Sequence, residues 1–301
     1  MLRCAGARRS MLRLVYTGRA PIKCCTTNDM AKDSRIEWTH HTFNPWWGCA
    51  KVSPACAHCY AESWARRLGS NLWGREASRR FFDRDHWQQP IRWNKEAKKS
   101  GERRRVFCAS MADVFEPRAE LHEWREALWP LIEETGWLDW LLLTKRPQNV
   151  ARMVPWKTSW PANIWLGTTA ENQKYADIRV PLLAAIPAKI RFVSAEPLLS
   201  PISFQAWKGV DWVIAGGESG HGARPTDPNW VRSLRDECRR SGIAFHFKQW
   251  GHWAPTLPRG VSARHRIELG DQGSESSILY AIGKKAAGRL LDGETWDQLP
   301  G

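Results

Sequence analysis

The run Trp140-Leu141-Leu142-Leu143, followed at once by Thr144-Lys145-Arg146, sets the pattern of the chain. Four successive apolar side chains have strand length, and their failure to alternate with polar ones means that both faces of the strand are covered. The same apolar run with a polar or glycine-containing end recurs at Val106–Ala109, Ile164–Leu166, Arg191–Val193, Trp212–Ala215 and Ala244–Phe247. Helices are predicted between them. Ala119–Thr135 places Leu121, Trp124, Leu128, Leu131 and Ile132 at helical spacing and stops before Gly136. Asn229–Arg240 follows Asp227-Pro228, a capping residue and a first-turn proline, with Val231, Leu234 and Cys238 on one face. Gln173–Ile186 is a weaker helix because Pro181 interrupts it. The alternation predicts an α/β fold: a mostly parallel, barrel-like sheet, open or closed, with flanking helices and right-handed crossovers.

In such folds chemistry collects at the carboxyl ends of the strands. Here those ends are polar: Ser110–Asp113 with Glu116, Thr144–Arg146, Gly167–Asn172, Ser194–Pro197, Gly216–Gly220 and Lys248–Trp250. Each alone is a turn or a helix cap. Together they predict one site.

The chain of 301 residues carries 45 Lys+Arg against 31 Asp+Glu, a net charge of +14. Residues 1–29 hold six of the cations (Arg3, Arg8, Arg9, Arg13, Arg19, Lys23) against Asp29, an excess of +5 that leaves +9 for the remainder. This leader lacks the apolar stretch of a secretory signal; Arg-rich and acid-poor, it suits an organelle transit peptide, but reads better as a disordered extension or a misplaced start before Met30. The remaining excess points to a polyanionic partner such as nucleic acid. Its densest part, Arg75–Arg105, contains Trp87 and Trp93, and aromatics among cations can stack bases; the alternative is a solvated basic surface. With 43% apolar residues and 20 Trp there is ample material for a core, so a wholly disordered chain is excluded. Most of the tryptophans are expected inside it, with Trp46 and Trp47 possible pocket residues by their nearness to a cysteine. No apolar run approaches the ~18–20 residues of a membrane-spanning helix, so a cytoplasmic protein without membrane contact is expected.

The cysteines divide by position. Cys4, Cys24 and Cys25 lie in the leader, while Cys108 and Cys238 fall on apolar faces and read as core thiols. Cys49, Cys56 and Cys59 form C-x6-C-x2-C on one loop, with a helix expected to start near Tyr60. Three thiolates there suit a soft metal centre, and an odd number argues against a disulfide framework. Two metals compete. Structural zinc needs a fourth ligand from His58, His40 or His41. A four-iron cluster held by three cysteines leaves one iron open.

The segments WTHHTFNPWWGCAKVSPACAHCYAE (38–62), FCASMADVFE (107–116), LLTKRP (142–147), LGTTAEN (166–172), VSAEPLL (193–199), DWVIAGGESG (211–220), FKQWG (247–251) and GKKAAGRLLDGETWDQLP (283–300) mark a resemblance. The sequence resembles a family of uncharacterised bacterial and phage proteins with a three-cysteine motif, itself similar to a divergent branch of the radical S-adenosylmethionine (radical SAM) superfamily. The resemblance implies a partial (β/α) barrel, assigned to residues 30–253; the tail, 254–301, rich in glycine and charge, reads as a partly ordered extension without chemistry, with a helix expected over Gly283–Leu291. The resemblance also implies a [4Fe-4S] cluster on the loop after the first strand, S-adenosyl-L-methionine chelating the open iron, and an electron donor such as flavodoxin or ferredoxin. Two departures stand out. The first cysteine gap is six residues, where the superfamily's common motif has three, with His58 in the place of an aromatic. The glycine–glycine–glutamate element comes late, as Gly216-Gly217-Glu218.

On this basis Cys49, Cys56 and Cys59 are the expected metal ligands. Glu196 and Glu218 can receive a cationic group of cofactor or substrate, or pair with Lys145 or Arg146. Gly216 and Gly217 allow positive φ and close approach of backbone to ligand. Thr168 and Ser194 can hold a ribose, or cap helices. Asp113, Lys145, Arg146 and Lys248 are the expected substrate contacts, with an N-cap as the plain role for Asp113. The expected function is a radical SAM-like enzyme acting on nucleic acid or a nucleotide; its rival is a zinc-stabilised nucleic-acid-binding module without catalysis.

Overall fold

Apolar runs with both faces covered pair side by side into one parallel sheet. A computed structural model describes residues 32–34, 36–203, 207–270 and 276–301; the leader, 1–29, with Cys4, Cys24 and Cys25, lies outside the described residues. The strands are β1 (His41–Thr42), β2 (Arg104–Cys108), β3 (Leu138–Thr144), β4 (Ile164–Thr169), β5 (Ile190–Ala195), β6 (Trp212–Gly216) and β7 (Ala244–Gln249). Their spatial order is their chain order, and every neighbouring pair is parallel. The sheet curls into a half-barrel, a partial (β/α) barrel as expected. The six expected strands are present and extend by one to three residues at one or both ends. β1 is the first strand that the resemblance implies before the cysteine loop, but no apolar run marks it: its two residues form a strand by pairing with Val106 and Phe107.

Among the described residues, the helices of eight residues or more are α1 (Tyr60–Arg67), α2 (Gln89–Ser100), α3 (His122–Glu134), α4 (Gln173–Ala184) and α5 (Pro228–Ser241). The start of α5 is as read: the Asp227 carboxylate accepts from Asn229 N at 2.8 Å, satisfying one orphan donor. Gly242 closes it in the left-handed region, φ 67°. α4 runs through Pro181 to Ala184, against the propensity argument. Burial of Ala176, Arg179, Val180 and Leu183 and the Asn172 cap on Tyr175 N outweigh one missing hydrogen bond.

Strand side chains alternate between two cores. Val106, Trp140, Leu142, Ile164, Val213 and Phe245 face the helices. Phe107, Leu141, Trp165, Phe192, Trp212 and Ile214 fill the concave side beneath Trp38. Gly167 belongs to that side: a Cβ there would lie 2.3 Å from the Phe192 ring. Burial also settles the tryptophans. Trp87 and Trp93 are buried in the helix-side core, so they do not stack bases, and the exposed cations of α2 form a solvated face. Trp46 and Trp47 are buried too, and neither lines the cavity described below. An indole removes roughly 150–250 Å² from water, which favours the core over a basic surface.

After β7 the chain forms a small antiparallel sheet, β8 (Trp253–Ala254), β9 (Arg266–Leu269) and β10 (Ser277–Ala281), in the order β8-β10-β9. The helix expected over Gly283–Leu291 is a single turn, Lys284–Ala287. The tail then returns along the outer edge of β7: Phe247 N donates to Trp296 O at 2.9 Å and Phe245 N to Gln298 Oε1 at 2.9 Å. An otherwise open strand edge is thereby covered. Among the described residues no helix is long and apolar enough to cross a membrane.

Three histidines are held neutral by the packing. Burial, ahead of nearby cations, lowers His40, His41 and His246 from 6.5 to about 4. Neither ring nitrogen of His246 has a hydrogen-bond partner among the described residues. The unfolded chain takes these protons near pH 6.5 and the fold only near 4, so stability falls as pH drops through that window. His246→Phe removes a buried ring that makes no hydrogen bond and has Asp297 Oδ1 3.5 Å from its Nδ1. It is expected to stabilise the fold by about 1–3 kcal/mol at pH 5 and to flatten the decline, measured by urea unfolding at pH 7 and pH 5.

Candidate functional site

Leaving β1, the chain is zipped to the segment after β2: Asn44 Oδ1 accepts from Met111 N at 2.7 Å, and Gly48 N donates to Met111 O at 3.0 Å. Gly48 has φ +112°, and a Cβ there would lie 2.5 Å from Leu72 O, so the turn into Cys49 requires glycine. A 3-10 turn at Pro54–Cys56 folds the loop back, and Cys59 is the residue from which α1 starts.

Side chains from the far strand ends reach over to hold this loop. Arg146, after β3, donates from Nη2 to Ala50 O at 2.8 Å. Glu171, after β4, accepts from Ala55 N at 3.2 Å. Arg224, beyond β6, donates to Pro54 O at 3.0 Å, and Glu218 is 2.9 Å from His58 Nδ1. The loop therefore lies across the carboxyl-end rim. Beneath it is a cavity of about 420 Å³, in the range of small-molecule sites.

Cys49, Cys56 and Cys59 all line this cavity and are free thiols. Asp113, Lys145, Arg146, Ser194, Glu196, Gly217, Glu218 and Lys248 line it with them. Thr168 and Gly216 do not. Thr168 is buried on the helix side, its hydroxyl donating to Thr144 O at 2.9 Å. The next residue, Thr169, has the concave parity and presents an unpartnered buried hydroxyl to the cavity. Gln249 does the same with Oε1. Neither Gly216 nor Gly217 adopts positive φ. They are small because neighbours crowd them: a Cβ on Gly217 would lie 2.0 Å from Trp250 O, and one on Gly216 would lie 2.9 Å from Glu196 Oε1.

The charges of the rim are mostly spent on one another. Asp113 accepts from the Thr144 hydroxyl at 2.7 Å, Lys145 N at 3.1 Å, Phe115 N at 3.0 Å and Arg146 Nη1 at 2.7 Å. These four contacts make it a framework group of the cavity wall. Arg146, so engaged, also points Nη1 at Cys49 Sγ, 3.7 Å away. Burial opposes its charge, yet Asp113 and Cys49 hold its pKa above the ordinary arginine value. Burial, then Asp113, pushes the Cys49 thiol up to about 12, with Arg146 opposing. Glu196 pairs with Lys248 at 3.0 Å and accepts weakly from Ser194 at 3.4 Å. Glu218 pairs with Arg224 at 2.6 Å. Burial alone would raise Glu218, but donors from Arg224 and His58 bring it below its usual range. Neither glutamate pairs with Lys145 or Arg146.

Of the histidines considered as a fourth zinc ligand, His40 accepts from Arg105 N at 2.8 Å and His41 stacks on Trp93 at 4.6 Å. Neither lines the cavity; His58 does. Among the described residues no group of three or more His, Cys, Asp and Glu side chains is drawn together to hold a metal ion. Cys108 and Cys238 are buried in the helix-side core, as expected.

Fold and site together define a parallel half-barrel protein with a thiol-lined cavity under a loop at its carboxyl-end rim. The chain belongs to the family described as "Protein of unknown function (DUF5131)", which it matches over residues 33–300. No match was found among curated proteins. Solved structures similar to it include spore photoproduct lyase as a double mutant with bound AdoMet and dinucleoside spore photoproduct, at 12% identity over 91% of this chain and 72% of that one, TM-score 0.44. Another is spore photoproduct lyase complexed with dinucleoside spore photoproduct, at 13% identity over 83% and 71%, TM-score 0.44.

Glu171 is the loop support that sequence reasoning missed. It is fully buried, and its other carboxylate oxygen takes Arg179 Nη1 at 2.9 Å. Glu171→Leu strands Arg179 without its partner and is expected to cost about 3–5 kcal/mol. Glu171→Gln, which still offers an oxygen to Ala55 N, is expected to cost less. Urea unfolding of the two variants checks the order.

Proposed function

We propose that this chain is a radical SAM-like iron–sulfur enzyme, with a [4Fe-4S] cluster on Cys49, Cys56 and Cys59 and S-adenosyl-L-methionine in the adjoining cavity. The observation that carries the reading is the shared placement of three free thiols, from the loop after β1, on one cavity at the strands' carboxyl ends. Three soft donors from one loop fit a cluster with one iron left for a ligand. When bound, the pair supplies reductive cleavage to methionine and a 5′-deoxyadenosyl radical that takes a hydrogen atom from a substrate.

The chain's own residues prepare for this. Arg146 sets a permanent cation and a donor beside Cys49 Sγ, opposing the burial and the Asp113 charge that disfavour the thiolate. Glu171, Glu218 and Arg224 fix the loop that holds the thiols. Ser194, Thr169, Gln249 and the Glu196–Lys248 pair offer the bound small molecule hydroxyl, amide and charged groups. Trp38 and Phe107 line the cavity from the concave core and limit water. A flavodoxin or ferredoxin as electron donor, a nucleic-acid or nucleotide substrate and a cytoplasmic setting complete the reading; the net charge of +9 outside residues 1–29 supports the substrate class.

One observation favours the zinc-stabilised, non-catalytic rival. His58 is held at Nδ1 by Glu218, which leaves Nε2 available, as in carboxylate–histidine–zinc sites.

Anaerobic purification separates the two. We expect a brown protein with about four irons per chain, reduced to background by Cys49→Ala, Cys56→Ala or Cys59→Ala and retained by Cys238→Ala and His58→Ala. A colourless protein with one zinc, lost in His58→Ala, would overturn the reading. So would iron without release of 5′-deoxyadenosine from S-adenosyl-L-methionine under reduction, which would leave a cluster protein without radical chemistry.

A further inference from the structure

The residues after 253 are assigned no chemistry from sequence, yet one of them, Lys284 in the segment 283–300, lines the cavity. Its position is built from the rim outward. His252 N donates to Glu218 O at 2.8 Å, and His252 O accepts from Ile282 N at 3.1 Å and Gly283 N at 3.0 Å. Gly251 makes the first of these contacts possible, since a Cβ there would lie 2.2 Å from Glu218 O. On the other side Trp250 N donates to Gly288 O at 3.1 Å, and its indole to Leu290 O at 2.8 Å. The single turn Lys284–Ala287 is thus fixed to the end of β7 by backbone on both flanks.

Most cations of the cavity are already answered: Arg146 by Asp113 at 2.7 Å, Lys248 by Glu196 at 3.0 Å, and Lys51 by Glu62 at 2.7 Å. Lys145 and Lys284 have no carboxylate within 4.0 Å among the described residues. Among the described residues, the lining carboxylate without an ion-pair partner is Glu37, exposed on the segment before β1. Lys145 is half-buried, its backbone held to Asp113, while Lys284 is exposed at the mouth.

We propose that Lys145 and Lys284 form an anion subsite that takes a phosphate group of the substrate, so that the C-terminal segment completes the site. The inference rests on the reaction proposed above and names the substrate's class: a phosphate-bearing molecule, supplied by a nucleotide or by a nucleic-acid strand. Two ammonium groups from separate elements suit a group with several charged oxygens, and lysine binds phosphate as a point charge.

The test is binding of a fluorescent single-stranded oligonucleotide to the full chain, purified anaerobically, with a nucleoside monophosphate as competitor. Iron content and melting temperature are read on the same samples. Lys284→Ala and Lys145→Ala are each expected to weaken binding about tenfold and to lower the log–log salt slope by about one. Lys284→Arg should restore binding. Lys285→Ala, on an exposed neighbour outside the cavity lining, should stay within about twofold of the parent chain. Competition by the monophosphate assigns the subsite to a free nucleotide, and its failure to compete assigns it to a strand. Parental binding by Lys284→Ala, an equal loss in Lys285→Ala, or no binding of either probe by the parent would overturn the proposal. Missing iron in the parent would instead overturn the cluster reading and leave these binding comparisons standing.

Discussion

A loop that carries three thiols across the mouth of a half-barrel has peptide groups to satisfy and no strand of its own to pair with. The structure meets this with side chains that work in two directions. Arg146 turns one face to Asp113 and the other to Ala50 O. Glu171 divides itself between Arg179 and Ala55 N, and Arg224 between Glu218 and Pro54 O. Ion pairs as buried as these add little net stability over apolar packing, because desolvation offsets their attraction. What they contribute here is position: each joins a strand end to a different point of the loop. The cavity exists because the loop is held above the rim and not collapsed onto it.

Much of this was legible in the sequence and some was not, for reasons that can be named. Apolar runs without alternation marked the six longer strands, and their polar ends marked the site, because a covered parallel sheet leaves charge nowhere else to go. β1 was implied by the resemblance but not marked by an apolar run: His41-Thr42 is a strand through its partners on β2. Thr168 was read in place of Thr169 because a strand apolar on both faces hides which parity is concave. Gly167 held the missing signal, since a glycine inside a strand marks close approach, and here Phe192 fills its face. The charge partners of Glu196 and Glu218 lie on other elements, and sequence adjacency suggested the wrong ones. Tryptophan among lysines and arginines looked like a base-stacking surface, yet Trp87 and Trp93 are buried.

The tail changes meaning in the same way. Read as sequence, residues 254–301 are polar and glycine-rich and suggest no chemistry. In the structure they cover the free edge of β7 and bring Lys284 to the cavity. An edge strand needs covering whatever the protein does, and the segment that covers it is close enough to the rim to take part in the site.

The central claim is that one cavity holds both a three-thiol cluster and the small molecule that completes it. Electron paramagnetic resonance of the anaerobically reduced protein, recorded before and after addition of S-adenosyl-L-methionine, tests it most directly. The account predicts a reduced four-iron signal whose g-values shift on addition, as they must if the ligand joins the iron without a cysteine. A four-iron signal unchanged by S-adenosyl-L-methionine, or no iron signal at all, would contradict it.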